Sequence, residues 1–146
     1  AAGLTLERSR YQEFADAFLE EVGRHAEDVH LQAVLESDGE LAPGDFQLDL
    51  ATALRFAGPW GQHFPEPVFD GTFRVVNQRL VGDKHLKMVL TPCGSDQLLD
   101  AIAFNVDLDR WPDDSVRDVA LAYRLDVNEF RGQRNVQLIV EHLAAA

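Results

Sequence analysis

The 146-residue sequence has a single cysteine, Cys93, so it builds no internal disulfide and no thiolate zinc site of its own. The reducing cytoplasm is the compartment expected from this. It has no apolar run near the roughly 18 residues a membrane span needs, and nothing at its start reads as a signal peptide, so no membrane partner is expected. Basic residues are scarce: 13 lysines and arginines face 25 acids, a net charge of −12, which on average disfavours nucleic acid as a partner. Catalytic patterns are lacking as well. Ser, His and Asp occur without a nucleophile elbow, and no histidine has a partner at metal-ligand spacing: His25 and His30 do not share a helical face, and His142 stands alone. Asp107, Asp109, Asp113 and Asp114 do not make a calcium loop, because Trp111 and Pro112 stand where an oxygen ligand and a glycine are needed. No catalytic or metal-binding residue is therefore assigned. What remains is a composition ordinary for a globular protein, 46% hydrophobic and 26% charged, in a chain long enough for one domain with a real core.

The chain opens in apolar sequence without an initiator Met, as expected of a fragment cut from a longer protein. Gly3 to Leu6 reads as a strand. Ser9 with Gln12 reads as a capping box, and Phe14, Phe18, Leu19 and Val22 recur at helical spacing behind it, which predicts a helix over 10–26. Leu31 to Leu35 fits either a strand or a helix. Pro43-Gly44-Asp45 starts a second, short helix through Leu48, Leu50, Ala51 and Leu54, ending at Gly58. The stretch from Gly58 to Pro67 holds three prolines and two glycines and is a rigid connector, Trp60 being a loop anchor.

Beyond the connector the hydrophobic period changes to two. Alternation predicts strands over 69–79, 85–91 and 98–105, then clearer ones through Val119–Val127 and Val136–Val140. A polar excursion over 106–118, pinned by Trp111, separates the third from the fourth, and Ala144 to Ala146 read as a tail. The fold class is α+β: a five-stranded OB-type barrel preceded by a helical segment and a Pro/Gly-rich connector. In such a barrel oligonucleotides lie across strands two and three, between the loops joining strands one to two and four to five. Here those loops are Arg79–Lys84 and Arg131–Arg134. Charge is distributed accordingly. Residues 1–68 carry 13 acids against 4 bases, whereas 69–91 hold two acids against four bases and 119–146 balance at three each. A basic hairpin tip is also an ordinary solvated turn.

Several phrases are more specific. Phe64-Pro65-Glu66-Pro67-Val68-Phe69-Asp70-Gly71, Arg79-Leu80-Val81-Gly82-Asp83-Lys84-His85-Leu86-Lys87, Ala103-Phe104-Asn105, and Ala122 through Gly132 with Val136-Gln137-Leu138, in this order, resemble the C-terminal part of the RecJ family of bacterial single-strand-specific 5′-to-3′ DNA exonucleases. Ala1 to Leu6 resembles the segment directly after the Gly-Gly-His motif of that family's DHH-associated domain. The resemblance implies three regions: 1–30 as the end of the DHH-associated domain, 31–65 as a connector with a short helix, and 66–143 as the OB-fold domain. It also implies that the Asp and His ligands for catalytic Mn or Mg are absent here, so this chain alone is expected to be inactive and to need no cofactor. Many relatives read Pro-Phe-Gly-x-Gly-Asn-Pro in the connector, where His63 and Phe64 replace the Gly and Asn, so no binding role is carried over to that loop.

A barrel that grips single-stranded DNA needs cations for phosphates and exposed rings for bases. Arg79, Lys84, His85, Lys87, Arg124, Asn128, Arg131 and Arg134 are the candidate DNA-binding residues, and Phe104 and Phe130 the candidate stacking rings. Each has a plainer role. Asn128 also fits a turn-capping amide, His85 a surface histidine, and strand phenylalanines usually belong to a core. The alternative function is a protein-interaction module that docks single-strand-binding protein or a helicase.

Overall fold

The computed structural model describes residues 3–25 and 34–146, which fall into two compact units, Ala1–Leu35 and Glu36–Ala146. In the first, a 3₁₀ turn at Arg8–Arg10 leads into helix α1, Tyr11–His25. Ion pairs one turn apart line it: Arg10 with Glu13 at 3.2 Å, and Arg24 with Glu20 and with Glu21. Two expectations need correction. Gly3–Leu6 makes no strand, because no described neighbour offers it a ladder. Ser9 sits inside the 3₁₀ turn, and the Gln12 amide donates to Asp16 (2.9 Å) instead of closing a capping box. Ala26, His30 and Leu31–Ala33 lie outside the described residues, while Val34 and Leu35 are exposed and irregular.

The second unit is a closed barrel. Its strands are β1 (Phe69–Val81), β2 (His85–Pro92), β3 (Leu99–Ala103), β4 (Asp118–Phe130) and β5 (Gln133–Ala145), in the spatial order β1-β2-β3-β5-β4. All neighbours pair antiparallel except β3 with β5. Alternation gives the strands one buried row each: Leu86, Met88 and Leu90 on β2, Val119 through Val127 at odd numbers on β4, Leu138 and Val140 on β5. Ala144 and Ala145 pair with Ala120 and Val119, so they belong to β5 and are not a tail. At the centre Tyr123 meets Phe73 edge-on (5.4 Å between ring centres), Phe46 at 6.2 Å and Phe69 at 6.1 Å.

Helix α2, Leu48–Ala57, shares this core: Ala51 is fully buried and Leu48, Leu50 and Leu54 pack against the strands, as does Phe46 just before it. Arg55 fastens the helix to β4 by donating to Asp126 Oδ1 (2.9 Å) and to the Val127 carbonyl (2.6 Å). The connector is rigid for a local reason. Trp60 stacks on Phe64 (4.9 Å) and donates to the Leu54 carbonyl (3.0 Å), and a Cβ at position 58 would lie 2.7 Å from the indole, so only glycine fits. The excursion after β3 forms two hydrogen-bonded turns, closed by the Trp111 N–H to the Asp107 carbonyl and the Val116 N–H to the Asp113 carbonyl, and buries Trp111 in the core.

Candidate functional site

The parallel pairing of β3 with β5 decides which loops face the same surface. β2 runs against β3 and β5 runs with it, so the β1–β2 tip lies beside the end of β3 and the β4–β5 tip lies towards its start. The two tips bracket the outer face of β2 and β3 from opposite ends. On that face the register sets cross-strand rows: Val81, His85 and Phe104 nearest the first tip, then Arg79, Lys87 and Ile102, then Asn77, Val89 and Asp100.

A bulge places Arg79 there. Strict alternation from the buried Phe73 would turn Asn77, Arg79 and Val81 into the core, but the register slips between Val75 and Asn77, so Gln78 and Leu80 take the inner positions opposite Met88 and Leu86. One extra residue thus moves a cation from the inner face to the outer.

The candidate residues divide by what already holds them. Arg79 and Lys84 at the first tip and Arg131 at the second are exposed, with no carboxylate partner among the described residues. Arg131 turns the chain at φ +51° and lies over the Phe130 ring at 5.1 Å, and Arg134, also exposed, reaches Thr52 Oγ1 at 3.4 Å. Lys87 is half-buried and paired with Asp100 at 3.6 Å. Asn128 is half-buried on β4 opposite Asn135, two residues before the second tip and one register step from Arg134. Phe104 and Phe130 are surface rings, 52% and 64% exposed, and not core residues. His85 accepts a hydrogen bond from the Asn105 amide at Nδ1 (3.2 Å).

Arg124 is different. Its Nε donates to Glu141 and its Nη1 to Glu66, both at 2.6 Å, so two carboxylates already surround it. Burial works against the charge, but the bonds to Glu66 and then Glu141 outweigh it and hold the guanidinium above its ordinary pKa. Its position is that of a strut between β4, β5 and the connector. Arg124→Ala is expected to lower stability by about 1–2 kcal/mol, because two acids are left facing each other, and to leave oligonucleotide affinity unchanged. Urea unfolding and a binding titration check this together, and a large affinity loss in a stable variant would refute the strut.

Among the described residues no group of three His, Cys, Asp or Glu side chains converges to hold a metal ion. The aspartates of the excursion cap turns: Asp107 accepts from the Asp109 amide (3.0 Å) and Asp113 from the Ser115 hydroxyl (2.6 Å) and amide (2.8 Å). No described helix is long and apolar enough to cross a membrane.

Comparison with known proteins gives a consistent result. The family described as RecJ OB domain matches residues 37–142. The single-stranded-DNA-specific exonuclease RecJ of Dickeya dadantii is 57% identical over 143 residues, and that of Escherichia coli 51%, each match covering 98% of this chain and 25% of the relative. The chain thus spans about a quarter of the length of these relatives. Among solved structures, RecJ from Thermus thermophilus in complex with Mg2+ superposes with a TM-score of 0.71 at 19% identity, covering 97% of this chain and 21% of that one. At that identity the likeness concerns the fold.

Proposed function

This chain belongs to the RecJ OB-domain family, and from that premise we propose that it is the single-stranded-DNA-binding module of a 5′-to-3′ single-strand-specific exonuclease acting in cytoplasmic DNA repair and recombination. One observation carries the reading: in a chain of net charge −12, exposed cations without a carboxylate partner among the described residues, Arg79 and Lys84 at one tip and Arg131 at the other, bracket a single outer face of the barrel. Phosphates are drawn to both ends of that face, and the acidic remainder keeps the strand from other surfaces. Residues 1–30 are, in this reading, the end of a DHH-associated domain. Phosphodiester hydrolysis and its Mn or Mg belong to other parts of the parent protein, and this chain alone is inactive.

The test is fluorescence anisotropy of labelled oligo-dT at several salt concentrations. Affinity is expected to fall with salt at a log–log slope near −2 to −3, about −0.7 for each of three or four phosphate contacts, and to rise with oligomer length. A flat salt response, together with capture of single-strand-binding protein or a helicase, would overturn the reading in favour of protein docking.

A further inference from the structure

The first hairpin tip carries more than charge. Val81, His85 and Phe104 follow one another across β1, β2 and the end of β3, and half of the Phe104 surface faces solvent. A large apolar ring left open beside cations is informative in a way that a lone surface leucine is not. His85 is its ring neighbour, 5.2 Å away and nearly perpendicular at 74°, a contact that cannot cover both faces of Phe104. Two backbone hydrogen bonds lock this group together: the Asn105 amide donates to His85 Nδ1 (3.2 Å) and the Val106 amide to the Lys84 carbonyl (3.0 Å). The first also sets the tautomer. With Nδ1 accepting, the proton of the neutral imidazole sits on Nε2, which has no hydrogen-bond partner among the described residues. Arg79, one row further along the face, and Lys84, in the turn itself, stand beside the group.

We infer that Val81, His85 and Phe104 form a subsite for one unpaired nucleobase, which stacks on Phe104 and accepts a hydrogen bond from His85 Nε2–H while Arg79 and Lys84 hold the adjoining phosphates. This rests on the DNA-binding reading and adds what cations alone do not supply, a reason to prefer single strands. Phosphates attract duplex and single strand alike, but a base inside a duplex has both faces covered by its neighbours and its pairing edge occupied, so Phe104 has nothing to stack on. Stacking is also tolerant of base identity, since every base offers a π face.

The experiment compares the 146-residue chain with its Phe104→Ala, Phe104→Leu and Lys84→Ala variants on three labelled ligands: oligo-dT, an abasic oligomer of equal length and charge, and a duplex. Phe104→Ala is expected to weaken oligo-dT binding roughly 5- to 150-fold, the equivalent of about 1–3 kcal/mol per stacked base, with the salt slope unchanged. Phe104→Leu keeps the apolar bulk but not the ring and shows most of that loss. Neither variant changes binding to the abasic oligomer or the duplex, whereas Lys84→Ala weakens all three and flattens the salt slope. If Phe104→Ala binds oligo-dT like the parent chain while Lys84→Ala is impaired, the subsite is wrong and the DNA-binding reading stands. An equal loss on the abasic oligomer also overturns the subsite, since it would trace to structure rather than stacking. Absence of binding to any oligomer by the parent chain overturns both.

Discussion

The combined variant Arg79→Ala, Lys84→Ala, Arg131→Ala is expected to bind oligo-dT about 50-fold more weakly than the parent chain near 0.15 M salt, and about 500-fold more weakly near 0.05 M. The figures follow from counterion release. Three phosphate contacts on a single strand contribute a salt slope of about −2, so the affinity they add grows steeply as salt is lowered and vanishes towards 1 M. These three cations are chosen because no carboxylate among the described residues engages them, whereas Lys87 already faces Asp100 and Arg124 is enclosed by Glu66 and Glu141. Lys87→Ala should therefore cost little. Anisotropy titrations at the two salt levels, with unfolding curves to show that the barrel is intact, decide the matter. A triple variant that binds like the parent would remove the hairpin tips from the DNA path.

Tyr123→Ala is expected to destabilise the barrel by about 3–5 kcal/mol, a large share of the roughly 5–15 kcal/mol that holds a domain of this size together. The ring is wholly buried against Phe69 and Phe73 of β1 and Phe46 before α2, so nothing nearby can collapse into the space without moving a strand. Tyr123→Phe should do the opposite. The buried hydroxyl has no hydrogen-bond partner among the described residues, and removing it is expected to leave stability equal or raise it by up to about 1 kcal/mol. The same hydroxyl gives a pH signature. Burial first, then the negative charges of Glu40 and Asp70, push the phenol above its ordinary pKa. The folded state thus favours the neutral form, a contribution fully present below the unfolded value near 10 and lost as pH rises beyond it. Above about pH 10 the parent chain should lose up to about 1.4 kcal/mol per pH unit relative to Tyr123→Phe. Urea unfolding from pH 8 to 11 measures this, and parallel curves for the two proteins would contradict it.

Much of the barrel is legible in the sequence because its signals are local. The alternating rows of β4 and β5 and the turns at Gly82 and Gly132, both at positive φ, depend on neighbours within a few residues. What depends on distant partners is not. The Arg124 guanidinium looks like a free cation until the barrel closes and brings Glu66, 58 residues away, against it. The bulge after Val75 leaves no mark in a pattern of Phe73, Val75 and Asn77, yet it decides that Arg79 faces outward. Phe104 shows the converse case. An apolar ring in a strand argues for burial, but Leu99, Ala101 and Ala103 take the inner row of β3, so alternation turns Ile102 and Phe104 to the outer face. Helix α2 reads as part of a connector because its short apolar face says nothing about where it docks.

The closing contacts of the barrel join residues far apart in the chain: Phe69 pairs with Tyr123, and β3 finds its second neighbour only in β5, across the whole of the excursion and β4. Folding must therefore bear the entropy of large loops before those pairings reward it, which sets this unit among slow folders, on the millisecond-to-second scale typical of barrels rich in non-local pairs. During synthesis β1, β2 and β3 emerge first as a meander whose two outer strands are unpaired. Until β4 and β5 have left the ribosome, β3 presents an open row of backbone donors and acceptors to any strand that meets it.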